Sequence, residues 1–286
     1  MKKSVLTYQS SFDLMKIMRN RYCNSVKMGN AISVIMNIAF LFLCNCESTQ
    51  KTDKPGEQVP EIEPIILQTF YHDTLAFTQG LLYYKDKLYE STGLYNRSSI
   101  RCINTDNGYI EKNVPVENVF AEGLVIKNNI FILLTWKSEL AFLYSYPDLK
   151  RIDTLQYQGE GWGLTSDGNS FIMSNGSDTL YWRDDHFNIL KKIPVTLNEL
   201  PLKRLNELEY ARNRIYANVW YSDFIFEIEP KSGKVIRMIN CKLLLNHLQF
   251  IGTDEVLNGI AYKNSSDTFF LTGKRWPLIF EIQIPD

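Results

Sequence analysis

The stretch EGLVIKNNIFILLTW, residues 122–136, has the pattern of a β-hairpin with a carboxylate at its beginning and a tryptophan at its end. An apolar run reverses at residues 127–129 and resumes as IFILLT. Lys-Asn-Asn between two runs rich in β-branched residues is typical of a turn between antiparallel strands. Because a hairpin brings its two outer ends together, Glu122 and Trp136 are predicted to be neighbours.

The same pattern occurs five times along the chain of 286 residues. Each copy has a polar or aromatic residue, usually a glycine, and then a leucine or isoleucine that opens a short strand. A polar turn and a second strand follow. The other four copies are QGLLYYKDKLYEST (79–92), WGLTSDGNSFIMSN (162–175), NELEYARNRIYANVW (206–220) and NGIAYKNSSDTFFLTGK (258–274). A further pair of strands follows the first four hairpins, so those units have four predicted strands each.

The spacing of the copies predicts the architecture. The residue before the leucine or isoleucine marks the register at Gly80, Gly123, Gly163, Glu207 and Gly259, in steps of 43, 40, 44 and 52 residues. A repeat of this length with four strands per unit indicates an all-β, five-bladed β-propeller. The fifth unit lacks its outer strand, and PIILQTF (64–70) is predicted to supply it and close the ring. An open β-sandwich of similar strand number is the alternative.

The N-terminal residues have a different composition. The run AISVIMNIAFLFLC (31–44) is apolar, too short for a comfortable membrane span, and preceded by basic residues, as in a signal peptide. It ends near Cys44 and Cys46, which resembles a bacterial lipoprotein signal in which a cysteine is lipidated. A cleaved secretion signal and an uncleaved anchor are the alternatives.

These features divide the chain into three predicted parts. A signal peptide or lipoprotein signal covers 1–46, a flexible linker covers 47–63, and the propeller covers 64–286. The linker assignment rests on a polar stretch with two prolines and no periodicity. We therefore expect an exported protein, either periplasmic or held at a membrane only through a lipid anchor.

Composition argues against several classes of function. The chain has 31 basic and 32 acidic side chains and a formal net charge of -1, without the basic excess of a nucleic-acid-binding protein. Its three histidines are scattered and no C-x-x-C occurs, so neither a metal nor another cofactor is expected. We also expect a monomer.

Hairpin geometry gathers one set of residues from each copy at one mouth of the central channel. The first strand of each blade lines the axis, so residues before it share a rim with residues after the second strand. The five sets are Phe77 and Gln79 with Thr92, Phe120 and Glu122 with Trp136, Glu160 and Trp162 with Asn175, Asn206 with Trp220, and Asn258 with Lys274. An aromatic pocket with a few polar groups is typical of a small-ligand site. Burial there is expected to raise the pKa of Glu122 towards neutrality, where acid–base catalysts work best.

The rim motifs resemble those of the plant-type glutaminyl-peptide cyclotransferases, which also occur in bacteria. They are AFTQGLLY, LYESTGLY, FAEGL, LTW, EGWGLTSDG, LNELEY, IYANVW, VLNGIAY and TGKRWP, in order from about His72 to Ile282. The resemblance implies a five-bladed propeller that converts the N-terminal glutamine of peptides and proteins to pyroglutamate and releases ammonia. The chain departs from the family at Ala121, where glycine is usual.

The resemblance also implies a set of functional positions. These are the catalytic residues Glu122, Lys274 and Asn206, and the substrate-binding residues Phe77, Gln79, Phe120, Trp136, Trp162 and Trp220. Glu122 is the expected general acid and base. Glu160 is expected to be a structural carboxylate.

Two other functions remain open from the sequence. Glu122, Asn206 and Asn258 could hold calcium in a propeller hydrolase or lactonase, although a nearby lysine and an aromatic wall are poor neighbours for a hard cation. A propeller that binds peptides without catalysis is the second. Chelator sensitivity separates the first from a cyclotransferase, and ammonia release from a Gln-initiated peptide separates the second.

Overall fold

Five large sheets and one two-stranded hairpin follow one another along the chain in this computed structural model, which describes residues 58–248 and 252–285. Two short N-terminal segments, β1 (Glu61–Ile62) and β2 (Ile65–Tyr71), precede the first sheet and join later ones. The predicted signal over 1–46, and the predicted linker up to residue 57, lie outside the described residues. No helix within the described ranges is long and apolar enough to cross a membrane.

The first three blades each contain four consecutive strands that pair in sequence order, as the predicted hairpins require. Blade 1 consists of β3 (Thr78–Tyr84), β4 (Lys87–Thr92), β5 (Ser99–Asn104) and β6 (Ile110–Pro115). Blade 2 consists of β7 (Ala121–Lys127), β8 (Ile130–Thr135), β9 (Leu140–Ser145) and β10 (Arg151–Gln156). Blade 3 consists of β11 (Leu164–Ser166), β12 (Phe171–Met173), β13 (Thr179–Arg183) and β14 (Ile189–Pro194).

The last two blades each take one strand from the N-terminal segments. A small hairpin, β15 (Thr196–Leu197) and β16 (Leu200–Pro201), precedes blade 4. Blade 4 consists of β17 (Leu205–Ala211), β18 (Arg214–Val219), β19 (Phe224–Ile228) and β20 (Val235–Asn240), with β1 at its edge. After a single helical turn, α1 (Lys242–Leu245), blade 5 consists of β21 (Leu257–Lys263), β22 (Thr268–Gly273) and β23 (Leu278–Gln283), completed by β2.

Strand β2 closes the ring as the outer strand of blade 5. It pairs antiparallel with β23, so strands from the two ends of the propeller lie side by side. Phe70 of β2 is only 8% exposed and packs in the apolar cluster between blades 5 and 1. The predicted closing strand, 64–70, agrees with β2 to within one residue at each end. The five-bladed propeller closed by an N-terminal strand is therefore confirmed.

Strand β1 was not predicted, and it extends blade 4. It pairs in parallel with Met238 and Ile239 of β20, and the Met238 N–H donates to the carbonyl oxygen of Pro60 at 2.8 Å. The predicted linker over 47–63 therefore differs from the structure at its C-terminal end. The physical reason is that these residues satisfy the open edge of an outer strand, which no local sequence pattern records.

A buried polar cluster follows β2 where the ends of the ring meet. His72 bonds through Nε2 to Glu90 in blade 1 at 2.9 Å and through Nδ1 to the carbonyl oxygen of Trp276 in blade 5 at 2.7 Å. Glu90 also accepts a hydrogen bond from Thr78 at 2.6 Å and lies 3.7 Å from Arg101. Burial raises the pKa of Glu90, but the charges of His72 and Arg101 outweigh it and hold that pKa below its usual range. The cluster joins blade 1 to blade 5.

The apolar core lies between the blades rather than at one centre. In the described part of the chain, each pair of neighbouring blades encloses its own cluster of buried side chains. Fully buried members of these clusters include Phe131, Phe171, Ile215, Trp276 and Phe270, in order round the ring. Burial of apolar surface is the main stabilising term in folding, so these clusters hold neighbouring blades together with their inner strands beside the axis.

The register residue lets neighbouring inner strands approach closely. A Cβ atom on Gly123 would lie 2.5 Å from the backbone nitrogen of Leu164 in the next blade, so only glycine fits there. Blade 4 has Glu207 at this position. Its buried carboxylate accepts hydrogen bonds from the backbone N–H groups of Leu81 at 3.4 Å and Ile260 at 2.9 Å. Glu207, the one register residue that is not glycine, therefore accepts hydrogen bonds from backbone N–H groups of the inner strands of blades 1 and 5.

Candidate active site

Four polar side chains at the channel mouth arise from irregularities in the inner strands. The antiparallel register shifts between Thr78 and Gly80 in β3, between Ala121 and Leu124 in β7, between Leu205 and Leu208 in β17, and between Leu257 and Ile260 in β21. Gln79, Glu122, Asn206 and Asn258 lie in these irregular stretches. A β-bulge inserts an unpaired residue, bends the strand and re-aims a side chain. The repeat thus turns four polar side chains out of the regular alternation of their strands.

Glu122 is buried in this group, with 4% of its surface exposed. Its Oε2 accepts a hydrogen bond from Gln79 Nε2 at 2.6 Å, and its Oε1 has no hydrogen-bond partner among the described residues. Burial raises the pKa of Glu122 well above its usual range. Lys274 and Gln79 oppose this rise, and the charge of Glu160 adds to it. A carboxyl group with a raised pKa is a better proton acceptor for an amine than an ordinary surface carboxylate.

Lys274 brings a buried cation to the same mouth. Its Nζ lies 4.7 Å from the centre of the Phe77 ring, and the residue is 5% exposed. Within the described residues the ammonium makes no direct ion pair or hydrogen bond, although the charges of Glu122 and Asp254 act on it. Burial lowers the pKa of Lys274 to about 8, and those two carboxylates oppose the change. Such a cation remains available to a developing negative charge.

Asn258 orients Gln79. Its Nδ2 donates to the carbonyl oxygen of Thr78 at 2.9 Å and to Oε1 of Gln79 at 3.4 Å. Because Gln79 presents its carbonyl to Asn258, its own Nε2 faces Glu122 and donates to it. The sequence placed Asn258 at the rim and in the calcium alternative, and it gave no indication of this contact.

Asn206 is positioned by a serine of the preceding blade. Its backbone carbonyl accepts a hydrogen bond from Ser174 Oγ at 2.6 Å, and its Oδ1 is buried without a partner in the described part of the chain. Ser91 Oγ makes the same bond to the carbonyl of Glu122 at 2.5 Å. Sequence reasoning missed both serines. The signal was available, because each follows the register glycine of its own hairpin at the same interval.

Aromatic rings surround the polar group. The contacts between ring centres are Phe77–Phe120 at 6.1 Å, Phe120–Trp136 at 5.5 Å and Trp162–Trp220 at 5.6 Å, all edge-on. Edge-to-face pairs of this kind are the favourable arrangement for aromatic side chains. They give the mouth a wall that is apolar and fixed in shape.

Two tyrosines that sequence reasoning missed extend this wall outward. Tyr95 meets Phe120 edge-on at 5.8 Å, and Tyr221 stacks on Trp220 at 4.7 Å. They are 45% and 39% exposed, respectively. Each lies shortly after the second strand of a hairpin, so the rim argument applied to the following loops would have found them.

Comparison with known proteins bears on what this mouth does. A family model described as Glutamine cyclotransferase matches residues 37–284. The chain belongs to the glutamine cyclotransferase family. It is 37% identical over 235 residues to the glutaminyl-peptide cyclotransferase of Arabidopsis thaliana, covering 80% of this chain and 73% of that protein. The crystal structure of Myxococcus xanthus glutaminyl cyclase matches with a TM-score of 0.75 and 34% identity, covering 79% of this chain and 98% of that chain.

All nine predicted site residues lie at one mouth of the propeller. Contacts link Gln79 to Glu122 and Lys274 to Phe77, and ring contacts link the aromatic residues. Asn206 joins them through Ser174. Their catalytic and binding roles stay predictions.

The calcium alternative is not favoured. Within the described ranges, no group of three or more His, Cys, Asp and Glu side chains could hold a metal ion. Of the three residues that the sequence offered, only Glu122 is a carboxylate, and the nearby charge of Lys274 acts on it. A cation at the mouth and a wall of aromatic rings are poor neighbours for calcium.

Proposed function

We propose that this mouth converts the N-terminal glutamine of a peptide or protein to pyroglutamate and releases ammonia, with Glu122 moving the protons. Family membership supports the reaction, and the environment of Glu122 supports the role. The observation that carries it is a buried carboxyl group with raised pKa, one oxygen of which has no protein partner, inside an aromatic wall.

Cyclisation needs a neutral α-amine to attack the side-chain carboxamide carbon. A free α-amine has a pKa of about 7.7–8.0, so an acceptor with a raised pKa is well matched to it. Gln79 Nε2 donates to Oε2 of Glu122, which keeps that oxygen an acceptor. Oε1 is therefore the atom that takes the amine proton and returns it to the leaving nitrogen, which departs as ammonia.

The carboxamide oxygen gains negative charge during attack, and it needs donors. Lys274 and Asn206 are the groups available for this role. Lys274 supplies a cation without a direct partner among the described residues, and Asn206 Nδ2 donates no hydrogen bond to any of them. The aromatic wall binds the first residue and excludes water, so that the amine attacks rather than water.

The test is ammonia release from a Gln-initiated peptide, with the loss of ammonia from the peptide verified by mass spectrometry. The same peptide with an acetylated α-amine should not react, because its nitrogen cannot attack. Activity should survive a chelator. A protein that binds the Gln-initiated peptide and leaves its mass unchanged would contradict the proposal. Activity that is lost on addition of a chelator would favour the calcium alternative.

The cellular setting is a further part of the proposal. The chain acts outside the cytoplasm on exported peptides, as a monomer held by a lipid on Cys44 or Cys46. The support is the apolar run before those cysteines and the polar stretch after them. Metabolic labelling with a fatty acid, repeated with both cysteines replaced by serine, tests the anchor, and light scattering tests the oligomeric state.

A further inference from the structure

Glu160 joins two tryptophans from neighbouring blades. Its Oε2 accepts a hydrogen bond from Trp136 Nε1 at 2.8 Å and another from Trp162 Nε1 at 3.1 Å. Trp136 follows the second strand of blade 2, and Trp162 precedes the first strand of blade 3. One carboxylate oxygen therefore bridges the gap between two blades at the mouth.

We propose that Glu160 is a positioning residue that fixes the indole rings of Trp136 and Trp162 and withdraws their N–H groups from the substrate pocket. The inference rests on the proposed function, because it assigns these rings to the wall that holds the first residue of the substrate. It adds a residue to the site that the sequence treated as structural.

The indole N–H is a donor only, so its partner decides how the ring lies. A charged acceptor makes stronger hydrogen bonds than a neutral one. The third rim tryptophan, Trp220, has an indole N–H without a hydrogen-bond partner among the described residues. Glu160 thus leaves one of the three rim indoles as a free donor.

Which of the indole N–H groups is free to donate matters for the reaction. The substrate carboxamide oxygen must meet the donors that stabilise its negative charge, which are Lys274 and Asn206 in the proposed mechanism. A free N–H group on Trp136 or Trp162 would compete for that oxygen and hold the glutamine in an unproductive orientation. By occupying both N–H groups, Glu160 leaves the carbon atoms of these two rings, and not their donors, to contact the substrate.

The rings have other contacts that survive without Glu160. Trp136 contacts Phe120 and Trp162 contacts Trp220, both edge-on. Lys137 Nζ lies 4.0 Å from the centre of the Trp136 ring and also pairs with Glu160 at 3.5 Å, so its position depends on the carboxylate. Gly176 leaves room for Trp162, since a Cβ there would lie 2.7 Å from the indole. Removing the carboxylate should therefore release the N–H ends of the rings without unfolding the blades.

The experiment compares Glu160→Ala and Glu160→Gln with the matched control Glu117→Gln, an exposed carboxylate in the loop between blades 1 and 2. For Glu160→Ala we expect KM for a Gln-initiated peptide to rise about 10-fold or more with kcat within about 3-fold, because binding shared by ground and transition state is lost. Glu160→Gln keeps a neutral acceptor and should recover most of KM. The control should match the wild type.

A second measurement reports on the rings themselves. In protein labelled with 5-fluorotryptophan, the ¹⁹F resonances of Trp136 and Trp162, assigned with single Trp→Phe variants, should shift in Glu160→Ala, and those of Trp182 and Trp276 should not. In a background with both Trp136→Phe and Trp162→Phe, which removes both N–H groups, Glu160→Ala should lose its effect on KM.

Three results would overturn the inference. They are unchanged ¹⁹F resonances in a folded Glu160→Ala protein, an unchanged KM, and a kcat lowered about 100-fold at constant KM, which would indicate a proton carrier. Absence of ammonia release by the wild type would instead contradict the proposed function. In that event two measurements still test the role of Glu160. One is the set of ¹⁹F spectra, and the other is the affinity of the Glu122→Gln protein for the peptide with and without Glu160→Ala.

Discussion

At the residue scale, the site depends on two buried groups whose charged forms are both disfavoured. Burial raises the pKa of Glu122 and lowers that of Lys274, and each group partly opposes the shift of the other. Because no direct ion pair forms between them, neither charge is cancelled before substrate arrives. A proton acceptor and a cation are thus held ready in a pocket with few other polar groups.

Replacing Glu122 with glutamine tests the proton carrier. The variant keeps the shape and the contact with Gln79 but cannot accept a proton. We expect kcat to fall by about 10²–10⁴, the usual contribution of a general acid or base, with a much smaller effect on peptide affinity. Ammonia release measures the first and calorimetry the second. Turnover above about half that of the wild type would show that another group moves the protons.

Replacing Lys274 with methionine tests the electrostatic coupling. The ammonium lowers the pKa of Glu122, so removing it should raise that pKa further. Because the ionised carboxylate is the base, the acidic limb of the kcat/KM profile should move to higher pH. The wild type should also lose activity above about pH 8 as Lys274 deprotonates, and the variant should lack this limb.

The control for this profile is Arg97→Met, which removes an exposed cation from the same face of the propeller. Its acidic limb should coincide with that of the wild type, because exposed charges are screened by solvent. An unmoved limb in Lys274→Met would mean that the two groups are not coupled.

At the element scale, the bulges explain why the sequence revealed some site residues and concealed others. Gln79 and Glu122 could be found because they precede a repeated Gly-Leu at the head of an inner strand. Their mutual contact could not, since it depends on how far each bulge turns its side chain. The bridge made by Glu160 was hidden for the same reason, because no local spacing shows that two indoles from different blades meet one carboxylate.

The polar cluster after β2 gives a prediction about ring closure. His72→Ala leaves Glu90 buried without the contact from His72 Nε2 at 2.9 Å, and removing one partner of a buried pair costs about 3–5 kcal/mol. We expect a correspondingly lower Tm in calorimetry. The double variant His72→Gln/Glu90→Gln replaces the pair with neutral hydrogen-bonding groups and should be more stable than His72→Ala. Equal Tm values for wild type and His72→Ala would show that the cluster does not hold the ring closed.

The same cluster predicts how stability depends on acid. The folded-state pKa of Glu90 is depressed, so its contribution to stability is present above the unfolded carboxyl pKa of about 4.3 and is lost as the pH falls through the folded value. The Tm difference between wild type and Glu90→Gln should therefore shrink as the pH is lowered below about 4. If this Tm difference stayed constant as the pH fell below about 4, the ionisation of Glu90 would not contribute to the stability of the fold in acid.

At the scale of the whole molecule, the sequence repeat predicted the ring of five blades but not every segment that pairs with the outer strands of those blades. Steps of 40 to 52 residues indicated five blades, and the missing outer strand of the last one indicated closure by the N-terminal segment. The pairing of β1 with β20 was not predictable, because two residues carry no periodicity and the contact spans most of the chain. Long-range pairing of short segments is decided by an open strand edge and not by local preference.

Truncation tests how the ring is closed. A protein that begins at Gln58 keeps β1 and β2, one that begins at Glu63 loses β1, and one that begins at His72 loses both. Loss of β1 removes a few backbone hydrogen bonds, each worth about 1 kcal/mol, and should lower the Tm by several degrees. Loss of β2 removes the outer strand of blade 5 and the packing of Phe70, so the third protein should not give a cooperative unfolding transition. A synthetic peptide spanning 61–71 should restore that transition. Equal Tm values for the first and third proteins would mean that blade 5 does not need β2.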